Sequence, residues 1–139
     1  MKQIIYNKII PLPGFTALTI WPLIFARKCP LLEHDERHER IHLRQQFEII
    51  VVSAVLLAVV VLVTDLSPWW LLSSLASFYV LYFVEWLVRL AVHRDRKEAY
   101  RNISTEQEAY QHQWDADYLD RRRPFAWVGY LFRKTYHRL

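Results

Sequence analysis

The chain has one cysteine, Cys29, in 139 residues, so no intrachain disulfide can form. It has no internal repeats and no low-complexity tracts, which argues against a repeat architecture. No short apolar run with a cleavage-like site stands near the N-terminus, so a secretory signal peptide is not expected. Lys and Arg are missing from the short segment DLSP at 65–68. Charge is nearly missing from the two runs that flank it. FEIIVVSAVLLAVVVLVT at 47–64 has one charged residue, Glu48, and WWLLSSLASFYVLYFVEWLVRLAV at 69–92 has two, Glu85 and Arg89.

Hydrophobic residues make up 53% of the chain, yet the formal net charge is +4. Segregation of apolar from charged residues reconciles the two. Each run approaches the roughly 20 residues needed to cross a bilayer core. A soluble protein this small has no interior able to hide two helices that are apolar on every face. Asp65, Ser67 and Pro68 mark a tight turn that ends one helix and starts the next. The expected fold is mainly α: an integral membrane protein with a two-helix transmembrane hairpin, flanking cytoplasmic helices and a small N-terminal β element. All basic residues except Arg89 lie outside the hairpin, so both termini are expected on the cytoplasmic side of an inner, multi-pass membrane protein. Trp69 and Trp70 suit the outer interface. The basic surplus then meets anionic headgroups of the bilayer. It flanks the spans and forms no separate basic domain, so nucleic acid is not expected as a partner.

The whole chain reads as one domain. Residues 1–30 hold two short β-branched stretches, IIYNKII and TALTIWPLIFA, separated by the turn signal PLPG, with Pro22 suited to an edge strand. From Glu33 to Thr64 the pattern predicts one long helix, uninterrupted by Pro or Gly, running from water into the first span. The second span covers 69–92. Residues 93–139 form a cytoplasmic helical segment: HRDRKEAYRN, then ISTEQEAYQHQWDADYLDRRR with Ser104 or Thr105 as its cap, then the amphipathic tail PFAWVGYLFRKTYHRL.

Within the wet part of the long helix stands His38-Glu39-Arg40-Ile41-His42. Two histidines at i and i+4 share a helix face. One zinc ion can then take both imidazoles, with the glutamate beside the first histidine able to draw a proton from the metal's water. A third protein ligand is required. Folding the hairpin at 65–68 sets residue i level with residue 133 − i (65 + 68 = 133) if both spans are continuous helices. His42 then meets Ala91 and His38 meets Asp95. The spacing leaves Glu106, Glu108, His93 and Asp95 as candidates, with His34 extending the histidine row. Glu85 and Arg89, spaced i, i+4 in the second span, form an ion pair that could also hold Gln45 or Gln46 or support the metal. Arg121–Arg123 read as a headgroup-contacting run. Tyr110, His112 and Tyr118 are candidates to polarise a carbonyl, or packing residues.

His38–His42 followed by Glu106-Gln107-Glu108-Ala109-Tyr110 resembles the gluzincin arrangement, HExxH…ExxA. It is similar to the membrane-bound HtpX and CAAX-prenyl-protease family. It also resembles a group of small bacterial membrane proteins with the same motifs flanking the spans. The resemblance implies His38, His42 and Glu106 as ligands of Zn2+ and Glu39 as catalytic base. Two positions depart from the family pattern: Arg40 lies between the histidines, and Tyr110 replaces the aspartate of ExxAD. The expected function is a zinc-dependent membrane hydrolase, a peptidase acting at the cytoplasmic membrane face on a peptide or membrane-protein substrate. The strand around Thr19 to Ala26 would pair with that substrate by β-augmentation. The alternative is a non-catalytic membrane subunit, in an oligomer or complex, that uses the HERIH helix as a polar or zinc-stabilised surface.

Overall fold

A computed structural model describes residues 3–133 of the chain. The tail's last six residues, 134–139, lie outside the described residues. The architecture is mainly helical, with one small sheet. Helix α1, Glu33–Val63, is 31 residues long, or about 46 Å. Its bounds follow from the sequence. Glu33, Asp35 and Glu36 lie in its first turn, where the helix dipole favours negative charge. No Pro or Gly interrupts the chain until DLSP.

The second apolar run is not one α-helix. Residues Pro68–Ala76 form nine residues of 3-10 helix before α2, Ser77–His93. Ser67 accepts from the Trp69 amide, and Pro68 takes the first helical position, where its missing N–H costs nothing. The hydroxyls of Ser73, Ser74 and Ser77 bond back to carbonyls three residues earlier. They satisfy themselves in a segment short of other polar partners. Together the two stretches give a second helix, Pro68–His93, long and apolar enough to cross a membrane, as Glu33–Val63 also is.

The tighter helix changes the register. A 3-10 helix rises about 2.0 Å per residue against about 1.5 Å for an α-helix. Nine residues therefore reach about 4.5 Å further, the length of three α-helical residues. The continuous-helix expectation sets Ser53 level with Val80. The observed partner is Ser77, Oγ to Oγ at 2.9 Å, three residues earlier. Nor do the helices stay level towards the wet end. The α2 rings beside His42 are Phe78 and Tyr82, not Ala91, and Asp95 is not beside His38.

The N-terminal β element has three strands where two were expected: β1 Ile4–Tyr6, β2 Ala17–Ile20 and β3 Leu23–Ala26. Trp21-Pro22 is the turn between β2 and β3, so TALTIWPLIFA is a hairpin and not a single edge strand. β3 is central, parallel to β1 and antiparallel to β2. After α2, Arg94 adopts a left-handed φ of 55° and breaks the expected wet helix. Asp95 accepts from the amides of Lys97 and Glu98 and starts α3, Arg96–Arg101. Helix α4, Ser104–His112, and the single turn α5, Tyr118–Arg121, replace the one helix expected over 103–123. Within the tail, Ala126–Tyr130 is 3-10 helix.

The interior between α1, α4 and β2 is more polar than a packing core requires. Ile41, Ala109 and Tyr118 form its apolar cluster. Around them Thr19, His38, His42, Gln45, Gln46, Glu106, Gln107 and Glu108 are all buried. Desolvating so many polar groups is tolerated only where they are paired, which makes this interior the candidate site.

Candidate metal centre

Helix α1 presents His38 and His42 one turn apart, and the first turn of α4 brings Glu106 against them. His42 Nε2 lies 3.1 Å from His38 Nε2. Glu106 Oε2 lies 3.2 Å from His38 Nε2, and Oε1 lies 3.3 Å from His42 Nε2. All three residues are buried. Zinc binds nitrogen and oxygen ligands at about 2.0–2.1 Å in tetrahedral sites, which separates neighbouring ligand atoms by about 3.3–3.4 Å. The two imidazole nitrogens, and each of them with one of the two Glu106 oxygens, stand at nearly that spacing, so the cluster could hold a metal ion.

The other ring nitrogens are already engaged. His38 Nδ1 is 3.0 Å from Gln113 Oε1, and His42 Nδ1 is 2.7 Å from Gln45 Oε1. An amide oxygen only accepts, so each Nδ1 is the donor in its pair, and Nε2 is the nitrogen left facing the centre, free to ligate once a metal displaces its proton. The orientation of the Gln45 amide is fixed independently. Its nitrogen donates to Thr105 O and to Glu108 Oε2, both at 3.0 Å, and neither can donate back. On Glu106, Oε1 accepts from the Tyr82 hydroxyl at 2.7 Å. Oε2 is buried and, among the described residues, has no hydrogen-bond partner; its contact with His38 has the distance of an ion pair without the alignment of a bond. An orphaned carboxylate oxygen facing two imidazole nitrogens is what a cation ligand leaves exposed. Burial pushes the Glu106 carboxyl up, but in the metal-free protein the positive charge of a protonated His42, with His38 beside it, wins and holds it well below the usual carboxylate range.

Glu85 sets where α4 begins. The expected caps, Ser104 and Thr105, lie inside the helix; the N-cap is Ile103, which has no capping side chain. Instead the Glu85 carboxylate, on α2, accepts from Ser104 N at 2.8 Å and Ser104 Oγ at 2.7 Å. Arg89 pairs with Glu85 at 3.1 Å and donates to the carbonyls of Leu131 and Arg133. The ion pair expected in the second span is present. It anchors the ligand helix two residues before Glu106 and bonds neither Gln45 nor Gln46.

Glu39 is half-buried, and β2 holds it. The Thr19 hydroxyl lies 2.6 Å from Glu39 Oε2. The other face of Thr19 is pinned, its carbonyl accepting from Gln46 Nε2 at 2.8 Å and from the Tyr79 hydroxyl. His38, Glu39, His42 and Glu106 line a cavity of about 430 Å³, walled by Phe15 and Leu18 from the N-terminal segment and by Phe78, Tyr82 and Trp86 from α2.

The remaining candidates lie elsewhere. Glu108 faces away from the cluster, 2.9 Å from the Tyr118 hydroxyl and 2.5 Å from Arg122 Nε. Arg122 also pairs with Glu48 of α1 and its side chain is buried, so the middle of the run Arg121–Arg123 is an internal cation and not a headgroup contact. Asp95 caps α3, and His93 lies outside the cluster. His34 stacks on Trp114 at 4.1 Å beside Asp35. The Tyr110 ring packs against His38 at 4.7 Å, and His112 stacks on Tyr118. Thr19, Tyr82 and Gln113 were not singled out by sequence reasoning. Gln45 alone had a local signal, one turn after His42.

Compared with protein-family models, curated proteins and solved structures, the chain matches none.

Proposed function

We propose that the chain is a zinc-dependent hydrolase of the inner membrane that cleaves an amide bond in a peptide or membrane protein at the cytoplasmic face, with both termini on that side. The observation that carries the reading is the His38–His42–Glu106 cluster with a carboxylate, Glu39, held beside it by Thr19. A buried triad alone fits a structural metal; an adjoining carboxylate that opens on a cavity is what hydrolysis adds. Zinc, when held there, supplies the Lewis acid that lets water ionise near neutral pH. Glu39 takes the proton of the attacking water and returns it to the leaving nitrogen. Thr19 keeps the carboxylate turned towards the cavity. The apolar walls exclude bulk water and accept apolar side chains flanking the scissile bond. The Arg27 amide bonds to the Thr16 carbonyl, which sets the phase of the β2–β3 ladder. Ala17 then turns its N–H and C=O to the outer edge of β2, where an extended backbone can pair.

The test is to purify wild type and Glu39→Gln in detergent and measure zinc content and cleavage of a peptide library. Stoichiometric zinc in both, with cleavage only by wild type and a loss of about 10²–10⁴-fold in the variant, is expected. Protein without zinc would remove the metal from the reading. Zinc in both with no wild-type cleavage would instead assign a zinc-stabilised membrane subunit.

A further inference from the structure

The face of α1 opposite the metal ligands has a second notch. Arg40 is two residues from each histidine, about 200° round the helix. With Leu43, Arg44 and Phe47 it follows the i, i+3, i+4, i+7 pattern of one helix face. This face and Trp21 of the β hairpin line a depression of about 360 Å³. Leu43 is its buried floor, and the rings of Trp21 and Phe47, 6.0 Å apart, form an aromatic wall. Arg44 is exposed, and among the described residues nothing pairs with it. Arg40 pairs with Glu36 through Nε and Nη2, leaving Nη1 to face an anion.

The notch lies at a defined height. Counting from Val63, where α1 ends, to Arg44 gives 19 residues, or about 29 Å. A bilayer's hydrocarbon core is about 30 Å thick. If the end of α1 marks the outer boundary, Arg44 stands at the inner headgroup level and Arg40 one turn beyond it. Below Arg44 the same face continues as Phe47, Val51 and Val55, all exposed. A cationic pocket sits directly above an apolar stripe, and that is the outline of an amphiphile with one negative charge at its head.

We propose that this notch binds the phosphate of one anionic phospholipid, with an acyl chain along the Phe47–Val51–Val55 stripe. The stripe distinguishes a lipid from free phosphate, which would use the arginines alone. The site rests on the reading of α1 as a membrane span and is independent of the metal centre. A lipid held there fixes the height of α1, and through Trp21 that of the sheet, relative to the bilayer surface.

The protein is reconstituted into nanodiscs of phosphatidylcholine with a minor share of phosphatidylglycerol, released into detergent and weighed by native mass spectrometry. One retained phosphatidylglycerol per chain is expected. Each basic residue at an anionic surface is worth a factor of about five. R44Q should therefore cut retention about fivefold, and R40Q/R44Q about thirtyfold. R44K, which keeps the charge, should retain the lipid. Arg44 is exposed and, among the described residues, pairs with nothing, so R44Q should keep the wild-type unfolding midpoint. Equal retention of the two lipids, or wild-type retention by R40Q/R44Q, would overturn the proposal. So would displacement of the lipid by an equal concentration of glycerol phosphate. Failure to enter any bilayer would overturn the membrane reading with it, an outcome distinct from entry without lipid preference.

Discussion

Gln45→Leu separates a residue that orients a metal ligand from one that merely fills space. Gln45 is fully buried and makes three hydrogen bonds: to His42 Nδ1 at 2.7 Å, and to Thr105 O and Glu108 Oε2 at 3.0 Å each. Leucine occupies nearly the same volume, so no cavity opens, but three partners lose their bond. Each buried partner left unpaired costs about 1–3 kcal/mol, so the metal-free variant should lose about 3 kcal/mol at the low end of that range. The second effect is specific to the centre. With no acceptor for Nδ1–H, His42 is free to change tautomer and put its proton on Nε2. Loss of such an orienting partner costs about 10–100-fold in metal affinity, or about 1.4–2.7 kcal/mol. Zinc stabilises a fold in proportion to the logarithm of its affinity. The gap between zinc-loaded and metal-free unfolding midpoints should therefore narrow in the variant. The assay is thermal unfolding in detergent with and without zinc, alongside competition with a chromophoric chelator. A variant that loses metal-free stability yet keeps the wild-type zinc increment and affinity would refute the orienting role and leave Gln45 as packing.

Two further outcomes follow from the same arrangement. The folded Glu106 carboxyl sits below its ordinary value of 4.5, so its charged form carries the stability. In metal-free protein that contribution is complete above about pH 5 and is lost as the pH falls through 4.5 towards the folded value. Glu106→Gln should flatten this part of the curve, read from unfolding midpoints between pH 6 and 3; an unchanged slope would mean that the carboxylate gains nothing from the imidazoles. Topology can be read from Cys29, the single cysteine and exposed. A membrane-impermeant maleimide should leave it unlabelled in intact cells and label it after permeabilisation, whereas labelling of intact cells would reverse the orientation.

The long helix was legible because nothing opposes it. Over 33–64 there is neither Pro nor Gly, and the observed Glu33–Val63 differs by one residue. The 3-10 start of the second run was not legible, because PWWLLSSLA has the hydropathy of either helix type. In the tighter form three serine hydroxyls bond back to carbonyls three residues earlier, a feature of conformation and not of pattern. The level-pairing arithmetic inherited that error. For the third ligand, spacing alone could not choose between Glu106 and Glu108, which lie about 200° apart on a helix. The choice is made by what faces each of them: two imidazoles for Glu106, and for Glu108 an arginine 14 residues later, folded inward. A buried cation cannot be recognised in the sequence RRR, since its two carboxylate partners come from α1 and α4.

Arg40 is the residue in the motif that departs most from the pattern of uncharged residues between the histidines, and the helix geometry disposes of the difficulty. A charge between two ligands would oppose a cation only if it shared their face. Positions i and i+4 point together, and position i+2 points away by about 200°. Arg40 makes its ion pair with Glu36 at 2.7 Å, one turn earlier on that outer face. Its guanidinium therefore lies across the helix from His38 Nε2 and His42 Nε2, with the helix and its buried face between them. The position next to the first histidine is the one with a chemical constraint, and there the chain has Glu39, tied to Thr19. The position between the histidines is set by what lies on the far side of α1, and on this chain that side lines a separate depression with Trp21, Leu43, Arg44 and Phe47.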